Sequence, residues 1–349
     1  MHIFWSCWRG VKDKRSGRVN ITIKDVAKEA NVSVATVSRV LNNKSNVSNE
    51  AVHAVNRAVE KLGYSPNFLG RDLRKSETKR ILAIIGSTEE TFYNDVLRGM
   101  QDACYAQGYD VLIATTRNDP EHEMHLLGML FSKAVDGVVL LAPKIDSKTI
   151  LDLSKKYAMA VCLERLDTEG ILCVTINNER AGYDATSYLI GKGRKRIGLI
   201  TTKIRSQSSV DRENGYRRAL EDAGIPYDER LVYYGDYSAD TGTRACEEFL
   251  KLENKPDAIF SISDIISLGA MVYANNHGYT IGKDILFFGF DNILFSHMFM
   301  PRLSTVDQPC YLQGKTVAEK LMANMKSEEP DNSTYMLPHS LILRESTGD

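Results

Sequence analysis

The segment Thr22-Ile-Lys-Asp-Val-Ala-Lys-Glu-Ala-Asn-Val-Ser-Val-Ala-Thr-Val-Ser-Arg-Val-Leu41 carries the decisive pattern of this chain. Thr22 followed three residues later by Asp25 reads as a helix N-cap with an acidic first turn. Ile23, Val26, Ala27 and Ala30 then recur at helical spacing. Asn31 and Val32 end that helix, and Ser33 caps a second one through residues 34–41, with Val37, Val40 and Leu41 inward and Val34, Ala35, Ser38 and Arg39 outward. A third amphipathic helix spans about 49–62, with Val52, Val55, Val59 and Leu62 on its inner face. Two short helices joined by a tight turn and backed by a third make a helix-turn-helix, here residues 21–66. Small residues and one Arg on the outer face of the second helix let its backbone approach the floor of a major groove.

Working outward, the charge agrees. The net charge of the 349 residues is −1, but it is unevenly spread. Residues 1–80 hold 16 Lys and Arg against 7 Asp and Glu, a net of +9, and the remainder holds 28 against 38, a net of −10. A basic head on an acidic body is the asymmetry expected where one end meets a polyanion.

Thr22-Ile-Lys-Asp-Val-Ala-Lys-Glu-Ala30, Val34-Ala-Thr-Val-Ser-Arg-Val-Leu-Asn42, Val47-Ser48 and Leu62-Gly-Tyr-Ser-Pro-Asn67 together resemble the lactose/galactose repressor family of bacterial transcription regulators. The resemblance is ungapped over about fifty residues. It implies that Val34 and Ala35 lie against base edges and that Arg39 donates to a guanine. It also implies that Thr22, Ser33, Thr36, Ser38, Asn42, Ser48, Tyr64 and Asn67 hold phosphates and set register. Residues 67–78 then form a hinge helix and linker. In the family this hinge folds only when paired across a homodimer and laid in the minor groove, where the leucine matching Leu73 is wedged between central base pairs. The sequence departs from the family at Gly70, where alanine is usual. The partners implied are a palindromic double-stranded operator, a second copy of the chain, and a small-molecule effector. A protein co-regulator is compatible with the resemblance. The chain stops after a strand-like 340–344 with no leucine heptads, so a dimer and no tetramer is expected. The first 20 residues precede the family's usual start and are expected to be disordered or untranslated.

From Lys79 onward strands alternate with helices. Apolar strand-length runs lie at 80–86, 109–114, 135–141, 160–163, 197–201, 231–234, 258–261 and 285–290. Strands buried on both faces with helices between them indicate doubly wound parallel sheets. The remaining length accommodates two such α/β units, and this part resembles the periplasmic sugar-binding fold that the family carries as its sensor. The family's three crossings fall here near Asn177, Val306 and Met336. They give one subdomain of about 79–177 and 307–335 and another of about 178–306 and 336–349. Ligands in such sheets sit beyond the carboxyl ends of the strands, which selects Phe92, Tyr93, Glu164, Tyr237, Asp264 and Asp291. Arg212 heads the family's R-x-x-G-aromatic pattern with Gly215 and Tyr216. The resemblance implies that Arg212 and Asp291 grip polar groups of the effector while Phe92 and Tyr237 line the walls. Glu164 also reads as a helix cap or structural partner, and Arg205 and Ser206 are further candidates.

Other chemistries find no support. Six scattered cysteines include no C-x-x-C pair and read as reduced, small apolar residues. His122 and His125 share a helix face but no third ligand is placed with them, so no metal and no cofactor is expected. Phosphate-loop, nucleophile-elbow and dinucleotide motifs are missing, and no catalytic set appears. The longest apolar runs, 81–86 and 135–143, are too short to span a bilayer. The opening residues lack the apolar core of a secretion signal, so a cytoplasmic, nucleoid-associated protein is expected. The alternative reading, a sugar-binding component of a transport system, has no use for residues 21–75. An enzyme on the same α/β fold would need a catalytic set.

Overall fold

The computed structural model describes residues 21–41, 47–64, 77–88, 90–204 and 206–349, in two compact units divided after Ser76. The expected extension 1–20, the hinge residues through Ser76 (Asn67, Gly70 and Leu73 among them), Asn42 and Arg205 lie outside the described residues.

The head consists of α1 (Ile23–Glu29), α2 (Val34–Leu41) and α3 (Asn49–Leu62). Its core is Val26, Ala27, Val37, Val40, Val55 and Ala58. Ala58 replaces part of the expected inner face of α3: Val52, Val59 and Leu62 pack at the rim of that core and are half-buried. Each helix start is fastened by a short polar side chain. Thr22 donates both its N–H and its hydroxyl to the Asp25 carboxylate, at 2.8 Å each. The Ser33 hydroxyl accepts the Thr36 N–H at 3.1 Å, and the Ser48 hydroxyl accepts the Ala51 N–H at 3.3 Å. Gly63, at φ 60°, ends α3 and lets the Tyr64 N–H return to the Val59 carbonyl at 3.0 Å.

The body begins with β1 (Arg80–Ile85), α4 (Tyr93–Ala106), β2 (Asp110–Thr115), α5 (Pro120–Phe131), β3 (Gly137–Leu141), α6 (Ser147–Ser154), β4 (Met159–Cys162) and β5 (Leu172–Ile176). It continues with α7 (Asn178–Gly191), β6 (Ile197–Thr202), α8 (Gln207–Asp222), β7 (Val232–Gly235), α9 (Ala239–Lys251), β8 (Ala258–Ser261), α10 (Asp264–Asn276), β9 (Leu286–Phe290) and β10 (Ser304–Asp307). Last come α11 (Cys310–Asn324), β11 (Thr334–Leu337) and β12 (Ser340–Ile342). Two six-stranded sheets result, ordered β11-β5-β4-β3-β1-β2 and β12-β10-β9-β8-β6-β7. In each, the first strand of its half lies between the second and the third. That reversal of winding opens a crevice at the strand C-termini. All the pairings are parallel except β10–β12, an antiparallel edge.

The chain passes between the sheets after Ile176, after Asp307 and after Leu337. The second and third passages correct the expected ranges. Asp307 still pairs with Ser340 in the second sheet, and Met336 and Leu337 still pair with Thr175 and Ile176 in the first. The second segment of the first subdomain therefore runs to Leu337 rather than stopping at 335. Three strands, β5, β10 and β11, were not among the expected runs. Cys104, Cys162, Cys173, Cys246 and Cys310 are buried free thiols, and burial pushes that of Cys104 up to about 11.

Candidate functional site

On the head, Val34, Ala35 and Arg39 are exposed on α2, while Val37 and Val40 of the same helix are buried. The turn at Asn31, in the left-handed region at φ 51°, sets α2 against α1 so that this face points away from the three-helix core. Thr22, Ser33 and Ser48 are exposed, and Thr36, Ser38 and Tyr64 half-exposed. Three of these hydroxyls already work as caps. The Ser33 hydroxyl also lies 2.9 Å from that of Thr36.

In the body, a cleft between the two sheets is lined by Glu90, Phe92, Tyr93, Asn118, Ala142, Lys144, Leu163, Glu164, Ile204, Ser206, Ser208, Arg212, Tyr237, Asp291 and Gln308. The lining follows from the topology, because these residues come from loops and helix starts just beyond strand C-termini. The backbone there is bent hard. Arg117, Asn118, Ala142, Leu163, Asp291 and Asn292 all hold positive φ between 54° and 107° just past the ends of β2, β3, β4 and β9. Non-glycine residues persist in that region only where their surroundings impose it, and such sites cluster at ligand clamps.

Arg212 is fixed by three contacts. Its Nε donates to Asn178 at 2.9 Å, its Nη1 to the Ile262 carbonyl at 2.7 Å, and its guanidinium lies 3.5 Å from the centre of the Phe290 ring. The R-x-x-G-aromatic pattern has a packing cause. A Cβ at Gly182 on α7 would stand 2.4 Å from the Arg212 carbonyl, and one at Gly215 on α8 2.1 Å from that of Glu179. The two helices approach closely enough to place Arg212 only because both positions are glycine. Tyr216 then anchors α8 by donating to the Ile197 carbonyl at 2.8 Å. Asp291 lies 4.0 Å from Arg212 and accepts from Gln308 at 2.6 Å. Burial pushes its carboxyl up to about 6, against the opposing pull of Arg212, Gln308 and Ser263. Phe92 and Tyr93 form a tilted ring pair with centroids 4.3 Å apart.

Two expected residues stand differently. Asp264 is fully buried and is not part of the cleft lining. Its carboxylate accepts from the Ile293 N–H at 3.0 Å, from the Thr305 hydroxyl at 2.6 Å and from the Ser296 hydroxyl. It ties together the loops that follow β9 and the start of β10, its oxygens turned to Ile293, Ser296 and Thr305. Glu164 lines the cleft, and each of its oxygens accepts one hydrogen bond from Ser208. Oε2 accepts the Ser208 N–H at 2.8 Å, and Oε1 the Ser208 hydroxyl at 2.7 Å. Asn118, Lys144, Ser208 and Gln308 were missed. The rule that selected Phe92 and Glu164 extends to the ends of β2 and β3, and would have found Asn118 and Lys144. Gln308 stands at a passage between the sheets and was open to the same reasoning.

Comparison with known proteins gives this arrangement its kind. Residues 22–67 match the model of "bacterial regulatory proteins, lacI family", and residues 78–344 match that of "periplasmic binding proteins and sugar binding domain of LacI family". The chain belongs to the LacI family. Catabolite control protein A of Priestia megaterium is 34% identical over 94% of this chain and 100% of its own length. The transcriptional repressor CytR of Escherichia coli K12 is 32% identical over 93% and 96%. Among solved structures, the transcriptional regulator CelR in complex with cellobiose superposes with a TM-score of 0.70 at 31% identity, covering 93% of this chain and 99% of that one. The lac repressor dimer bound to operator and the anti-inducer ONPF reaches 0.83 at 24% identity, a likeness of fold, over 94% and 99%. As a LacI-family member the protein is a transcriptional regulator, and neither an enzyme nor a transport component. Among the described residues no helix is long and apolar enough to cross a membrane, and no cluster of His, Cys, Asp and Glu is grouped as a metal site.

Proposed function

We propose that this LacI-family regulator represses carbohydrate-use genes from a palindromic operator, as a homodimer, and that a sugar in the cleft sets its operator affinity. The observation that carries the effector class is the pairing of aromatic walls with a fixed, buried Arg212–Asp291 pair. Phe92, Tyr93 and Tyr237 offer ring faces to the apolar face of a pyranose. Arg212 donates to, and Asp291 accepts from, hydroxyls at directions fixed beforehand by protein contacts. The mixed charges of the lining, Glu90, Glu164 and Asp291 against Lys144 and Arg212, suit a neutral polyhydroxylated ligand better than an anion. That CelR is described with cellobiose supports the same class.

On the DNA side, Val34, Ala35 and Arg39 read bases. Thr22, Ser33, Thr36, Ser38, Ser48 and Tyr64 hold phosphates, together with Asn42 and Asn67, and Leu73 wedges the central step. A wedge at the dyad favours an easily unstacked step such as CG. Selection of bound duplexes from random pools should return an inverted repeat; a direct repeat or no motif would sink the DNA half of this reading. A thermal-shift screen with glucose, galactose, maltose and cellobiose tests the effector half. A shift abolished by Asp291→Asn is the expected result.

A further inference from the structure

Glu164 sits on the turn that leaves β4 in the first subdomain, just after Leu163, which is held at φ 74°. It is 3% exposed, and its carboxylate reaches the second subdomain, where α8 begins. Ser208 is the second residue of α8, so its N–H is one of the first four that have no acceptor within the helix. The helix's own cap, Ser206, receives the Ser209 N–H at 3.3 Å and leaves that of Ser208 to Glu164. A carboxylate is the best partner for this position, because it meets the positive end of the helix dipole and accepts two donors at once. One residue on, Arg165 lies 3.6 Å from Asp211 in the next turn of α8, and Asp211 accepts from Gln207 at 2.7 Å. The turn after β4 is therefore docked on the start of α8.

We propose that Glu164 and Ser208 are a clasp that holds the two subdomains together across the cleft. Glu164 is on this account a positioning residue and not an effector ligand. The proposal rests on the reading of the cleft as the effector site, and it concerns how that site opens. Parting the two subdomains to admit an effector breaks both Glu164–Ser208 bonds and takes from the Ser208 N–H its acceptor. Admission of the effector is thus coupled to release of the clasp. A regulator whose binding-competent form is rarely populated loses apparent affinity in proportion to that rarity, so the clasp sets the effector concentration at which the regulator responds.

Hydrogen exchange on the full chain, with no sugar added, tests this directly. Glu164→Gln keeps the shape but turns one accepting oxygen into a donating amide. It should speed exchange at the Ser208 and Ser209 amides by about tenfold or more, while amides of β1 and β8 stay protected. Ser208→Ala, which keeps the backbone bond, should act in the same direction and less. The double variant should be no faster than Glu164→Gln, since both changes break one unit. Unchanged exchange at Ser208 in Glu164→Gln, or strictly additive effects, overturns the clasp. The sugar screen separates this from failure of the effector reading. If no sugar shifts the wild type while the exchange result holds, the effector reading falls and the clasp stands. If a sugar shifts the wild type, and Glu164→Gln loses that shift with exchange unchanged, Glu164 is an effector ligand and the clasp is wrong.

Discussion

The head and the body of this regulator place their proposed functional residues differently, outside the core in one and buried in the other. Val34, Ala35 and Arg39 stand exposed on the outer face of α2, backed by Val37, Val40 and Val55. Arg212, Asp291 and Glu164 are buried, and each is fastened to groups from distant parts of the chain: Asn178, Ile262, Gln308 and Ser208. A reading face of the first kind can be altered without touching the fold. In the second kind, binding, closure and stability draw on the same hydrogen bonds and change together.

The sharpest way to break that contrast is to remove a carboxylate that serves only the scaffold. Asp264→Ala would leave three buried donors, on Ile293, Ser296 and Thr305, without their acceptor. Each unsatisfied group costs about 1–3 kcal/mol, so the body should lose about 4 kcal/mol. For a unit of this size that lowers its melting temperature by about 8–16 °C. Calorimetry should show the body transition falling while the head transition stays in place. A body transition within a degree or two of wild type means that Asp264 does not hold these loops together.

Arg39→Ala applies the same logic to the head. A bidentate arginine–guanine contact is worth about 1–3 kcal/mol, so operator binding should weaken about tenfold or more per half-site with both transitions unmoved. Titration on one operator at fixed salt measures it. The contrast with Asp264→Ala is the point: affinity without stability in one unit, stability in the other.

Acid should also separate the two. In the body, burial first and the neighbouring Asp291 charge second push Asp264 up to about 7, and burial pushes Asp291 up to about 6. Both values lie above that of an unfolded Asp, about 3.9. The native body therefore holds protons that the unfolded chain has already released. The stability these two groups contribute is complete below about pH 4 and is lost as pH rises through 6 to 7. Asp25 in the head has the opposite sign. The Thr22 N–H and hydroxyl hold it below the usual range, so its contribution is present above about pH 4 and is lost as pH falls. Denaturant titrations from pH 4 to 8 should show the body's contribution from these carboxylates declining toward neutral pH, with Asp264→Asn giving a flatter profile. A profile unchanged by Asp264→Asn would show that this carboxyl does not titrate in the range.

The same contrast explains what the sequence yielded. The head was legible nearly residue by residue, because its helices are short and amphipathic and the first two are started by Thr22 and Ser33. Ala58 was missed in its core, where large apolar residues were favoured although a methyl group sufficed at the closest approach. The body was legible as alternating apolar runs but not in its polar strands. β10 reads Ser-Thr-Val-Asp, and Ser304 and Thr305 are buried only because Arg344, Thr347 and Asp264 satisfy their hydroxyls. No hydrophobic pattern marks such a strand. β11 is a half-buried edge of four residues, whereas β5, Leu-Cys-Val-Thr-Ile, is a buried apolar run longer than β4 and was open to the same reading. Asp264 was misread for a related reason. Position after a strand end predicts the cleft, but partners 29 and 41 residues away decide whether the carboxylate faces it.

Ser48 gives the smallest effect and the finest test, because the resemblance implies one role for its hydroxyl and the structure shows another. As the cap of α3 it accepts the Ala51 N–H at 3.3 Å; as a phosphate contact it would serve DNA. Losing a serine cap costs about 1 kcal/mol, so Ser48→Ala should lower the head transition by about 4–8 °C. If the hydroxyl served DNA alone, the same variant would leave that transition in place and weaken operator binding. Ser48→Asp separates the roles further. Aspartate caps a helix as well as serine does and favours the positive helix start, so the head should melt at or above the wild-type temperature. Its charge at that position would oppose a neighbouring phosphate, and operator binding should then weaken about tenfold at low salt, with the loss shrinking as salt screens it. Wild-type affinity in Ser48→Asp at low salt would remove Ser48 from the phosphate contacts and leave it a cap, which would bring the head one step nearer the body: a residue chosen for folding, mistaken for one chosen for function.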